Sequence, residues 1–206
     1  MRPVLLVIAG PNGSGKTTVT ERLRADHWSE GVEYLNPDEI AQARFGGWND
    51  PLAVRDAANW TERRREELLA AHLGIAFETV FSTAGKVDFV SRAVRDGYFV
   101  RLFFVGTTTP EINAARVAQR VMRGGHDVSI PKIIARYTRA MANLAVALPL
   151  VQRAYIFDNS IDGADARLCA RCVDGQVRKV YGPQPTWIED AISEVPPHHD
   201  FEDHRG

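Results

Sequence analysis

Cysteine is nearly absent from the 206 residues: Cys169 and Cys172 are the only two. That is too few for a disulfide framework and suits a reducing compartment. The two form a single C-x-x-C with no second pair nearby, whereas a structural zinc needs four ligands. They also fall on an expected strand, away from the helix start that redox pairs favour. His198, His199 and His204 near the C-terminus offer no better ligand set. No apolar run approaches the ~20 residues of a membrane span. The N-terminus leads straight into an apolar segment, so neither an anchor nor a signal peptide is expected, and the cytoplasm is. Neither sign of charge is in excess, with 25 Lys and Arg against 26 Asp and Glu. A broad electrostatic grip on nucleic acid is thereby disfavoured.

What is present is concentrated at the start of the chain. Gly10-Pro11-Asn12-Gly13-Ser14-Gly15-Lys16-Thr17, followed by Thr18, reads G-x-x-x-x-G-K-T. This is the phosphate-binding P-loop. Its glycines let the backbone curl until successive N–H groups face the phosphates. Lys16 reaches the β- and γ-phosphates, and the Thr17 hydroxyl is suited to Mg²⁺. The helix that follows adds its positive end. Val4 to Ala9 is uninterruptedly apolar, as a central parallel strand should be. An ATP-type nucleotide with Mg²⁺ is therefore expected to bind.

Further along, strands and helices alternate. Strands are expected at Glu33–Asn36, Ile75–Phe81, Tyr98–Val105 and Ala154–Asp158. Helices are expected from Pro37, from Asp50 to about His72, from Lys86 to Asp96, from Pro110 to Arg123, and from Pro131 to Leu148. Asp174-Gly175 is a hairpin turn between Leu168–Val173 and Gln176–Tyr181. A last short helix is expected near Trp187–Ile192. The pattern predicts an α/β fold: a five-stranded parallel sheet with helices on both faces, plus a C-terminal β-hairpin. Residues 1–194 read as one domain and 195–206 as a tail. The charge run Thr61 to Glu67 reads as a solvated helix face with i,i+4 pairs.

In such a sheet ligands bind beyond the carboxyl ends of the strands. Asp38, after the second strand, is the candidate general base for a hydroxyl acceptor. Glu78, with Thr79 beside it, is a candidate for holding substrate hydroxyls or water on Mg²⁺. A carboxylate among Ile75, Phe77, Val80 and Phe81 would need a partner. No strand ends in an apolar run plus Asp, since the fourth closes Phe103-Phe104-Val105-Gly106. That disfavours a motor-type ATPase and leans toward a small-molecule kinase. Arg116, Arg120 and Arg123, spaced i, i+4, i+7, share a helix face and could neutralise the transferred phosphoryl group. Gly124-Gly125 follows as a lid hinge, with His126 a further substrate contact and Arg136 and Arg139 further cations. Asp158-Asn159-Ser160 is placed near the adenine. Two alternatives stay open: a nucleotide-dependent switch module, and a kinase of nucleic-acid or nucleotide 5′-hydroxyls using Trp60 and Arg63 to Arg65.

Together the pieces resemble the zeta-toxin family of P-loop kinases, the toxin halves of bacterial toxin–antitoxin pairs. The resemblance is carried by GPNGSGKTT at 10–18, NPDEIA at 36–41, FETVFST at 77–83, and RVAQRVMRGGHDVSIPKIIARY at 116–137 followed by Asn143-Leu144. It implies a nucleotide-kinase-like sheet and transfer of the ATP γ-phosphate to a sugar hydroxyl, with UDP-N-acetylhexosamines as the best-known acceptors. It also implies an antitoxin as protein partner. By the same resemblance Lys16 and Thr17 serve nucleotide and Mg²⁺, Asp38 is the base, Glu78 binds substrate, and the 116–123 arginines clamp phosphate. Val80 stands where the family's sugar-binding threonine is expected.

Overall fold

The computed structural model describes residues 2–25, 30–47, 50–125, 127–193 and 195. Trp48, Asn49, His126, and all of the expected tail but Val195 lie outside them. In chain order the elements are β1 (Val4–Ala9), α1 (Lys16–Ala25), β2 (Val32–Leu35), α2 (Pro37–Arg44), α3 (Pro51–Ala70), β3 (Gly74–Thr79), α4 (Ala84–Arg95) and β4 (Phe99–Gly106). There follow α5 (Pro110–Met122), α6 (Ile130–Ala147) with a 3-10 turn at Leu148–Leu150, β5 (Arg153–Asp158), β6 (Arg167–Val173), β7 (Gln176–Val180) and α7 (Thr186–Ser193).

The strands form one sheet in the order β2-β3-β1-β4-β5-β6-β7. The first five are parallel, in register through pairs such as Val7↔Phe77, Val7↔Leu102 and Phe104↔Ile156. The hairpin β6–β7 is not a separate appendage: β6 pairs antiparallel with β5, so the sheet has seven strands. β1 lies centrally, with β2 and β3 on one side and β4 and β5 on the other. The loop leaving its carboxyl end therefore sits where ligands bind in such sheets.

The two faces of the sheet are unequal. One carries the main core, where Leu5, Val7, Ile75, Phe77, Leu102, Phe104 and Ile156 meet buried side chains of α3, α4, α6 and α7. On the other, Leu6, Ala76, Phe103 and Val105 pack against Val19 and Leu23 of α1. Cys169 and Cys172 are buried in the main core, with Cys172 pushed up to about 11 by burial. Prolines in the first turn start α2, α3, α5 and α6, where a missing N–H costs nothing. Asp50 caps α3 as expected, its side chain accepting from the Leu52 N–H.

The charge run of α3 is more than a solvated face. Arg65 is 4% exposed, its guanidinium lying over the rings of Phe77 and Phe89. Arg64 instead bonds Glu33 of β2 at 2.7 and 2.8 Å, and Glu66 bonds Arg92 of α4. The run thus ties α3 to two neighbours. Of the residues considered above for a nucleic-acid groove, Arg64 is thus ion-paired, Arg65 is buried, and Trp60 lies under the guanidinium of Arg44.

Candidate active site

Lys16 is 9% exposed, and its Nζ donates to the carbonyls of Gly10 at 2.9 Å and Pro11 at 3.0 Å. Burial lowers its pKa. Glu78 and then Asp38 pull it back up, while Arg120 and Arg136 push it down. The carboxylates come from β3 and α2 and the guanidinium groups from α5 and α6, so the charges of four separate elements bear on one ammonium.

The predicted nucleotide residues Gly10 to Thr18 form the β1–α1 loop and the first turn of α1. Gly13 and Gly15 take positive φ. Ser14 is fully buried and its hydroxyl has no hydrogen-bond partner. Thr17 is exposed at the helix start. A hydroxyl oxygen at the mouth of the loop is a ligand that fits Mg²⁺. Among the described residues no cluster of three or more His, Cys, Asp or Glu is placed to hold a metal by itself.

Glu78 has the partner its position demanded. It points to the α1 face, away from Phe77, and its Oε2 accepts the hydroxyl of Thr20 at 2.9 Å and of Tyr34 at 3.5 Å. Among the described residues no donor reaches Oε1. Asn36 Nδ2 donates to the Tyr34 oxygen at 3.2 Å. Burial, and next the Glu78 charge, raise the Tyr34 pKa, so the phenol stays a donor. Asn36 also caps α2, its side chain accepting from the Asp38 N–H. Asp38 is thereby freed from capping, and its exposed carboxylate has no side-chain partner among the described residues.

Thr79, expected to touch substrate, also shapes the chain. Its Oγ1 accepts the Phe81 N–H at 3.0 Å, while Asn143 Nδ2 donates to the Phe81 carbonyl at 2.8 Å. These bonds hold the fully buried Phe81 at φ 60°, a strained conformation for a bulky residue.

The structure disperses the arginine stripe. Arg116 donates to the Asn159 carbonyl at 2.7 Å and to that of Ile161, and lies 3.7 Å from Asp162. Arg120 acts on Lys16. Arg123 is exposed at the end of α5. Arg136 reaches the loop itself, donating to Asn12 Oδ1 at 3.1 Å, while Arg139 is exposed beside it. Asn159 bonds the P-loop, its Nδ2 donating to the Ser14 carbonyl. Asn113 of α5, which no local signal marks, does the same for the Asn12 carbonyl.

A central P-loop, a five-strand parallel run and lysine-centred charges define the P-loop kinase fold. The zeta toxin family model matches residues 1–162, and the chain belongs to that family. An uncharacterised Haemophilus influenzae protein is 28% identical over 137 residues, 66% of this chain and 94% of its own. The AvrRxo1-ORF1:AvrRxo1-ORF2 complex with ATP contains a chain superposing with TM-score 0.66 at 17% identity, over 97% of this chain and 66% of its own. The PezAT toxin–antitoxin system of Streptococcus pneumoniae superposes with TM-score 0.57 at 15% identity, over 95% of this chain and 78% of its own. This chain thus spans just under two thirds of that AvrRxo1 chain. No helix among the described residues is long and apolar enough to cross a membrane.

Proposed function

We propose that the protein is a kinase that transfers the γ-phosphoryl group of Mg-ATP to a hydroxyl of a sugar-type metabolite, with a UDP-N-acetyl sugar the first acceptor to try. The observation that carries this reading is the buried Lys16 of the P-loop, with Glu78 bonded to Thr20 of the helix that Lys16 starts and Arg136 bonded to Asn12 of the loop. A carboxylate and a cation from outside the motif are thereby held against the loop and its helix.

In this reading the loop N–H groups hold the β- and γ-phosphates, and Lys16 exchanges its carbonyl partners for phosphate oxygens. Thr17 would hold Mg²⁺, which when bound supplies neutralising charge to the phosphates. Asp38 accepts the proton of the acceptor hydroxyl as its oxygen bonds the γ-phosphorus. The bond to the β–γ bridging oxygen breaks, ADP leaves, and Asp38 returns the proton to water. Glu78 Oε1 accepts a neighbouring hydroxyl and so orients the acceptor. Arg120 and Arg136 face the charge on the phosphoryl group in flight. Arg116, bonded to the loop after β5, braces the nucleotide side. An antitoxin-type protein is proposed as partner, on the strength of the family and of the PezAT likeness.

The test is mass spectrometry of a metabolite pool, UDP-sugars included, incubated with the protein and Mg-ATP, with Lys16→Ala and Asp38→Ala proteins alongside. One metabolite should gain a single phosphoryl group with the parent protein alone. ADP release with no phosphorylated acceptor, unchanged by Asp38→Ala, would overturn the kinase reading in favour of a switch module.

A further inference from the structure

A P-loop receives phosphate only when its N–H groups turn inward. In a trans peptide C=O and N–H point in opposite directions, so the carbonyls must then turn outward. An outward carbonyl away from water needs a donor. Two side chains from outside the motif supply it. Asn113, on α5 and fully buried, donates Nδ2 to the Asn12 carbonyl at 2.6 Å. Asn159, just past β5, donates Nδ2 to the Ser14 carbonyl at 2.8 Å. The peptides they pull on are those whose N–H groups belong to Gly13 and Gly15.

Both asparagines are themselves held. The Oδ1 of Asn113 takes the hydroxyl of Thr107, whose carbonyl takes the Tyr137 hydroxyl at 2.7 Å. Asn159 donates its backbone N–H to the Gly106 carbonyl at 2.9 Å, and its own carbonyl accepts from Arg116. The approach leaves no room for a side chain on the loop. A Cβ on Gly13 would lie 2.5 Å from the Asn113 carbonyl oxygen, and one on Gly15 would lie 2.2 Å from Asn159 Nδ2. Gly13 is therefore required by the α5 backbone at Asn113, and Gly15 by the Asn159 side chain, as well as by their positive φ.

We infer that Asn113 and Asn159 are positioning residues that aim the Gly13 and Gly15 N–H groups at the β-phosphate. Because Asn113 and Arg116 share α5, the helix that carries Arg120 is fixed to the Asn12 carbonyl directly and to the Ser14 carbonyl through Asn159. Loop and arginine helix then behave as one part. The inference rests on reading the loop as a nucleotide site, and it concerns binding alone, with no acceptor involved.

The experiment is calorimetric titration of the full-length parent, Asn113→Leu and Asn159→Ala with Mg-ADP and with AMP, alongside thermal unfolding of each. Either substitution should weaken Mg-ADP by about tenfold, the worth of a lost buried hydrogen bond. AMP, which lacks the β-phosphate, should bind parent and variants alike. The Gly13 and Gly15 amide resonances of the ligand-free protein should shift in the matching variant. Equal loss of AMP and ADP affinity would mark a merely structural role and overturn the inference. So would Mg-ADP binding within twofold of the parent in a folded variant. Asn159 is only partly buried, so its variant keeps the test open should Asn113→Leu misfold. A parent that fails to bind Mg-ADP would overturn the nucleotide reading itself, a result distinct from the others.

Discussion

On the nucleotide side of the cleft the chain grips with backbone and with buried side chains: Ser14, Lys16 and Asn113 are all at most 9% exposed. On the side proposed for the acceptor Asp38 is exposed, and Glu78 sits half-buried with one oxygen uncommitted. A phosphate cradle serves the same ligand in every protein that has one, so its parts can be packed to fixed positions. An acceptor pocket must suit one metabolite, and the groups proposed to line it, Asp38 and Glu78, are exposed and half-buried. The contrast explains why the kinase class follows from the loop while the acceptor does not.

Substitutions can split the two sides. Asp38→Asn should lower phosphoryl transfer by about 10²- to 10⁴-fold, the usual worth of a positioned base, while Mg-ATP still binds. Single-turnover transfer and calorimetry on the same sample measure both, and a parallel loss of ATP binding would dissolve the distinction. Glu78→Gln should come next, raising the acceptor KM by about tenfold through the weakened hydroxyl contact.

The third prediction concerns protons. Burial lowers the Lys16 pKa in the free protein, and bound phosphates would raise it again. The complex then holds more protons than the free protein above that lowered pKa, so ATP affinity falls as pH rises through it, below the ordinary lysine range. Titrations in buffers of different ionisation enthalpy should show proton uptake on binding at alkaline pH. Lys16→Arg should remove the uptake. The smallest effect lies far from the cleft. Tyr98 donates its hydroxyl to the Leu73 carbonyl at 2.8 Å and the Leu68 carbonyl at 3.1 Å. Tyr98→Phe should cost about 1–2 kcal/mol in urea unfolding and leave nucleotide binding untouched.

The loop, the parallel strands and the hairpin are legible in sequence because each is a local pattern: a motif spacing, an apolar run, an Asp-Gly turn. Elsewhere a distant contact decides. The apolar character of Ile75–Phe81 asks for a strand as far as Phe81, yet β3 stops at Thr79 because the Thr79 hydroxyl and Asn143 bend the chain there. Arg65 reads as a solvated charge and is buried between two phenylalanines that lie far along the chain. Asn113 and Asn159 stand 101 and 145 residues from the carbonyls they hold, and no periodicity or spacing links such pairs. Arg136 could be named from the sequence only as one further cation. Its contact with Asn12 distinguishes it from Arg123 and Arg139.

The unequal covering of the sheet has a consequence for how the molecule comes apart. α1 is held to its face by Val19 and Leu23, while the opposite face carries the bulk of the packed side chains. Detaching α1 therefore exposes less apolar surface than stripping the opposite face, and its amides should exchange with solvent through a local opening, whereas those of β1, β4 and β5 wait for global unfolding. Since α1 begins at Lys16, such an opening would release phosphate without melting the sheet. Nucleotide in turn would act as the clasp that closes the thinner side, slowing exchange in α1 far more than in the strands beneath it.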